Sequence, residues 1–265
     1  MIDISRTDVY GFEAAIRGMR NPMNSWEKSD SLFDIDSWDL DGRTICDKNE
    51  LLPSEERYNW DEYGKFWIGP NDLTLMTKLA KAGTEHSKYR RMIIVTCDIT
   101  APLYWWKEYD TYKVGTVANS CSTMHKIAAK EFEPDDFSYE HLLILEDLGE
   151  DPFTMNPVGV KDGVCGIVYG YGDNVYSPTG VLGMTIKMLN RCRELYLETK
   201  DKKYWWQMIQ LLPSSYNQKR TVQLSYENLA AIYRQRKDHK LDEWRMFCDW
   251  IKTLPYAKEV ITGED

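Results

Sequence analysis

Hydrophobic positions along this chain switch between a helical and a strand-like period, and the order of the switches predicts a helix-rich mixed α/β (α+β) fold. In YGFEAAIRGMR (10–20), Phe12, Ala15, Ile16 and Met19 recur at helical spacing. Residues 28–65 are acidic and polar with no sustained period, the pattern of a long surface excursion. GPNDLTLMTKLAKAGTEH then predicts a helix capped by Asn71 or Asp72, buried along Leu73, Met76, Leu79 and Ala80, and stopped by Gly83. RMIIVTCDI (91–99) is β-branched and apolar without a helical stripe, so it predicts a buried strand ending before Ala101-Pro102.

The second half repeats the alternation. Seven of the sixteen glycines fall between 159 and 183, which favours tight turns over helix and marks about 148–180 as a second excursion. Ser177 and Pro178 suit the cap and first position of a helix to about residue 199, with Val181, Met184, Met188, Cys192 and Leu195 as its apolar face. An aromatic segment, KYWWQMIQLLP, follows. Leu229, Ile232 and Tyr233, then Leu241, Trp244, Phe247, Trp250 and Ile251, give two further helices around a charged break at 235–240.

Charge and composition narrow the function classes. The formal charge of −9 argues against binding a nucleic-acid polymer, while leaving room for a local basic pocket that holds a small anion. The six cysteines are scattered, with no C-x-x-C pair, so neither a zinc site nor another metal centre is expected. No signal-peptide pattern or run of about 20 apolar residues is present, so the expectation is a cytoplasmic protein with no membrane partner. Gly170-Tyr171-Gly172 does not complete G-x-G-x-x-G, and there is no Walker loop.

The chemistry concentrates in APLYWWKEYDTYKVGTVANSCSTMHK (101–126). Trp105, Tyr109 and Tyr112 follow i, i+4, i+7, which a structural helix face explains without a ligand. Thr116, Asn119, Ser120 and Ser122 offer hydroxyls and an amide to a base, sugar or phosphate, or equally a cap to the next helix. Lys107 and Lys113 are either solvated or set against phosphate.

The order of these elements resembles the flavin-dependent thymidylate synthases, the ThyX family. That family runs from S-P-F-E-H into a strand, then P-x-F-x-x-R-Q, then R-H-R-x7-S. Here the same places read Ser87-Lys88-Tyr89-Arg90-Arg91, Pro102-x-Tyr104, Lys107-Glu108 and Thr111-Tyr112-Lys113, with Thr116, Asn119 and Ser122 for the family's S, N and S. A second block carries Leu212-Pro213-Ser214-Ser215-Tyr216-Asn217, Asn228, Arg234 or Arg236, and Asp242-Glu243-Trp244 where the family has L-P-x-x-x-Y-T, an Asn- and Arg-containing helix and A-Q-x-E. The chain departs from the signature in chemistry: Thr111 and Tyr112 replace an Arg and a His that hold FAD and the dUMP phosphate, and Lys113 offers a point charge in place of a guanidinium fork. Eight positions, not seven, separate Lys113 from Ser122.

The resemblance implies a single domain over 1–265, with a ThyX-like central sheet, flanking long helices and insertions at about 28–65 and 148–180. It implies FAD contacts from His86, Arg90, Tyr112, Lys113 and Asn228. Substrate contacts would come from Lys107, Glu108, Thr116, Asn119, Ser120, Ser122, His125, Arg234 and Arg236. No catalytic residue is assigned. The ligand implied is a pyrimidine deoxynucleotide such as dUMP, with methylenetetrahydrofolate and NADPH if the family reaction is retained, in a homotetramer with sites between subunits. The alternative is a repurposed or inactive nucleotide-binding protein on the same scaffold, or an interaction protein.

Overall fold

The computed structural model of the chain describes residues 1–33, 66–144 and 177–263. Most of the excursion expected at 28–65, most of the glycine-rich one at 148–180, and Cys46 and Cys165 lie outside the described residues. The chain forms two compact units. One comprises Ile2–Ala101, Trp105–Ser120 and Lys219–Asp265, the other Met1, Pro102–Tyr104 and Cys121–Gln218.

The first unit is built on a sheet of order β1-β4-β6-β5, from β1 (Asp3–Tyr10), β4 (Ile94–Pro102), β5 (Val117–Ser120) and β6 (Asn217–Ser225). β1 pairs antiparallel with β4, Val9 opposite Val95, and the register shifts between Ser5 and Asp8. β5 pairs antiparallel with β6, Val117 opposite Gln223 and Ser120 opposite Arg220. β1 and β5 are thus the edges. An edge strand needs few apolar residues, which is why the polar DISRTDVY did not read as a strand. Central β4 buries Val95, Cys97, Ile99 and Ala101 and runs on through Pro102. The expected stop before Ala101 gives way because a proline at the end of a strand costs no needed ladder donor.

Helix α1 (Phe12–Arg20) buries Phe12, Ala15, Ile16 and Met19 as the period predicts. It starts at Phe12 because Gly11, at φ 92°, turns the chain out of β1. Short strands β2 (Leu32–Phe33) and β3 (Phe66–Trp67) pair antiparallel. Helix α2 (Pro70–Lys81) confirms the predicted element and corrects its cap: the N-cap is Gly69, and neither Asn71 nor Asp72 caps with its side chain. The carboxylate of Asp30 does so from a distance, accepting from the backbone N–H groups of Asn71 (2.9 Å) and Asp72 (3.1 Å). Asp72 is instead fully buried, its Oδ1 2.6 Å from Arg20 Nε.

Helices α7 (Tyr226–Arg236) and α8 (Asp242–Lys252) bury Leu229, Ile232 and Tyr233, and Trp244, Phe247 and Ile251, around the charged break. They pack with α3 (Leu103–Tyr109), whose Trp105, Trp106 and Tyr109 are buried. A π-helical turn at Lys258–Thr262 follows.

The second unit is held by α5 (Pro178–Thr199) against α6 (Lys202–Leu211), and the Trp205 indole N–H of α6 donates to the Met124 carbonyl of the short α4 (Thr123–Lys126) at 3.1 Å. Ser177 caps α5 and Pro178 opens it, as predicted, with the Ser177 hydroxyl accepting from Gly180 N–H at 3.0 Å. Of the predicted face, Cys192 is buried and Leu195 half-buried, but its other three residues are not. Leu182, Ile186, Leu189 and Cys192 enter the core with Met208, Phe132 and Phe137, while Val181, Met184 and Met188 are exposed. This helix carries two apolar stripes, and only the packing against α6 selects one.

Candidate functional site

The aromatic stretch divides at Tyr109. Before it, Trp105 stacks on Tyr109 with ring centroids 5.2 Å apart and meets Trp244 and Phe247 at 4.8 and 5.6 Å. Burial pushes the Tyr109 phenol far above its ordinary pKa, so it stays neutral. This end is a core helix. Helix α3 stops at Tyr109, and a turn through Thr111 and Tyr112 closes on the carbonyls of Glu108 (3.1 Å) and Tyr109 (2.9 Å). Tyr112 therefore leaves the helical face that its spacing predicted and reaches α7.

There it joins two other predicted residues. Arg236 Nη1 lies 2.6 Å from Glu108 Oε2, and Arg236 Nε donates to the Tyr112 hydroxyl at 2.9 Å. The Tyr112 hydroxyl in turn donates to Gln235 Oε1 at 2.9 Å. Trp244 Nε1 donates to the same Glu108 oxygen at 3.0 Å, and its ring lies 4.7 Å under the Arg236 guanidinium. His239 Nε2 is 3.6 Å from that oxygen. A fork that elsewhere would face an anion is thus closed onto an internal carboxylate and stacked on an indole. Gln235, His239 and Trp244 were not among the predicted site residues. Trp244 read as core from its period, which is correct for its ring and silent about its N–H.

The remaining predicted residues disperse. Lys107 and Lys113 are exposed and have no ion-pair partner among the described residues. The Thr116 hydroxyl donates to the Tyr112 carbonyl at 2.5 Å, and Asn119 and Ser120 lie exposed on edge strand β5. Asn228 is structural: its Oδ1 accepts from Ser225 N–H (3.1 Å) in a capping box, and its Nδ2 donates to the Val114 carbonyl (2.8 Å), anchoring the loop after Tyr112. His86 is exposed in the turn after Gly83. Ser122 and His125 belong to the second unit, where the Ser122 hydroxyl caps α4 by accepting from His125 N–H at 3.1 Å. For Ser122, the capping role is the one observed. Arg90 and Arg234 line a cavity apart from Glu108, Tyr112 and Arg236.

No known family model matches the chain, and no curated protein matches it in sequence. In three dimensions it is similar to thymidylate synthase X (ThyX) from Helicobacter pylori with FAD and dUMP, at a TM-score of 0.56 and 16% identity, over 99% of this chain and 97% of that one. It is also similar to a UMP/dUMP methylase, PolB, from Streptomyces cacaoi bound with 5-Br dUMP, at a TM-score of 0.53 and 14% identity, over 99% and 95%. The chain has a ThyX-like fold.

At this identity the likeness is one of fold alone, and the ThyX-like scaffold must be judged by its own side chains. At the signature positions, the Thr111 hydroxyl donates to the Glu108 carbonyl at 2.7 Å, Tyr112 is engaged by Arg236, and only Lys113 carries a free charge. These residues do not fit the bidentate anion contacts by which the family signature holds FAD.

Proposed function

We propose that this chain is a nucleotide-binding protein on a ThyX-like scaffold, taking a pyrimidine deoxynucleotide such as dUMP without the family's flavin contacts. The observation that carries this reading is the closed Glu108–Arg236–Tyr112 cluster, formed at signature positions on a fold whose solved relatives hold dUMP or 5-Br dUMP. Lys107 and Lys113, without an ion-pair partner among the described residues, and the exposed β5 edge with Asn119 and Ser120 supply the charge and hydrogen-bond donors that a nucleotide monophosphate needs. By the same likeness the protein assembles as a homo-oligomer, a tetramer in the family. No step through FAD, methylenetetrahydrofolate or NADPH is derived.

Thermal shift with dUMP and, separately, with FAD tests this, because a ligand of the native state raises stability with the logarithm of its free concentration. The expected result is a colourless protein whose Tm rises with dUMP and not with FAD. A yellow protein carrying tightly bound flavin would overturn the flavin-free half, and no shift with dUMP or any other pyrimidine nucleotide would overturn the whole. Light scattering checks the oligomer, and a monomer at micromolar concentration counts against the site-between-subunits arrangement.

A further inference from the structure

Arg234 and Arg236 are two residues apart on α7 and so point about 200° apart around its axis. Arg236 closes the Glu108 cluster. Arg234 lines a separate cavity of about 260 Å³ with Lys81, Arg90 and Lys237, and among the described residues Glu259 is the one carboxylate in its wall. Arg234 and Lys81 are exposed and have no ion-pair partner among the described residues. Glu227 stands behind Arg90, at a loose 3.8 Å from Nη1. The Nε of Arg90 and the Oε2 of Glu259 are both buried and lack any hydrogen-bond partner.

Arg90 and Glu259 line the same cavity and each holds one buried polar atom without a hydrogen-bond partner, a costly state that a ligand drawing either side chain forward removes. Such a ligand carries acceptor oxygens for Arg90 and a hydroxyl for Glu259. With Glu227 beside Arg90, the exposed Arg234 and Lys81 outweigh the single carboxylate of Glu259 in the wall, which favours an anion, and guanidinium forks suit phosphate oxygens. At about 260 Å³ the cavity lies below the roughly 300–1,000 Å³ of sites for drug-sized ligands, which favours a small ligand.

We propose that this cavity binds the phosphate monoester of a small polyhydroxylated alcohol. The phosphate sits among Arg90, Arg234 and Lys81, and a ligand hydroxyl donates to Glu259. The site is separate from the nucleotide reading above and stands or falls independently of it.

Calorimetric titration of the full chain with ribose 5-phosphate and with inorganic phosphate is the test. Ribose 5-phosphate should bind more tightly than inorganic phosphate, and the double variant Lys81→Glu/Arg234→Glu, changed only at exposed positions, should weaken it by about tenfold or more. Glu259→Gln should shrink the advantage of the monoester over inorganic phosphate. dUMP binding should survive the double variant. As a check on the unaltered chain, ribose 5-phosphate should slow acetylation of Lys81, read by peptide mass spectrometry. Absence of binding by either probe, or a double variant that binds as the parent does, overturns the site. Equal affinity for the two probes overturns the role of Glu259.

Discussion

Arg236 and Glu108 neutralise each other across 128 residues of sequence, Nη1 to Oε2 at 2.6 Å, with side chains 19% and 35% exposed. The pair ties α7 to the end of α3 and takes the guanidinium that would otherwise be the strongest anion contact of this region.

Glu108→Gln should release that guanidinium while an amide oxygen still accepts from Trp244. Because the pair is partly solvated, stability should fall by no more than about 1 kcal/mol. Affinity for dUMP should rise by about tenfold as one charge-assisted contact becomes available. Calorimetry checks this, and an unchanged dissociation constant would remove Arg236 from the nucleotide site.

Among the described residues of the first unit, Asp72 is the carboxylate with the most hydrogen bonds. Its Oδ2 accepts from the hydroxyls of Ser29 (2.8 Å) and Ser31 (2.6 Å) and from two backbone N–H groups, while Oδ1 meets buried Arg20. Asp72→Asn should cost about 3–5 kcal/mol in a urea melt, since it strands the arginine. Burial alone would raise the Asp72 pKa, but the bonds from Ser31, Ser29, Arg20 and the Asp30 backbone outweigh it and hold the carboxyl below its usual range. A depressed folded-state pKa stabilises fully above the unfolded value, near about pH 4, and that contribution is lost as pH falls through the folded value. Stability should therefore drop more steeply below about pH 4 in the parent than in Asp72→Asn.

Gly11 and Gly183 should respond in opposite senses to alanine. A Cβ on Gly11 would lie 2.1 Å from the Met92 carbonyl oxygen at a φ of +92°, so Gly11→Ala should cost about 3 kcal/mol or more. A Cβ on Gly183, inside α5, meets nothing within 4 Å, and Gly183→Ala should add about 0.5–1 kcal/mol. Thermal melts of the two variants measure both.

Leu189 and Met188 are adjacent on α5 and lie on opposite sides of the decision that packing made. Leu189 is fully buried and Met188 is 50% exposed. Leu189→Ala should cost about 2–5 kcal/mol through its cavity, whereas Met188→Ala should stay within about 0.5 kcal/mol. Similar losses at both positions would mean that Met188 is covered in solution by something this chain alone does not show.

What the sequence determined by itself is local. The helical periods at 12–20, 70–81, 178–199 and 226–252, the Ser177-Pro178 cap and the Gly83 stop follow from short-range propensity and appear where expected. The order of the aromatic and short polar segments was also legible, and the ThyX-like fold agrees with it. Tertiary structure decided the rest, because those outcomes depend on partners far along the chain. Edge strand β1 has no period of its own to reveal it, and α5 had two apolar stripes until α6 chose one. Asp72 looked like a cap until Arg20 claimed it. Arg234 and Arg236 looked interchangeable in sequence, but a helix turns about 100° per residue, and that rotation sends one to Glu108 and the other to a cavity with Arg90.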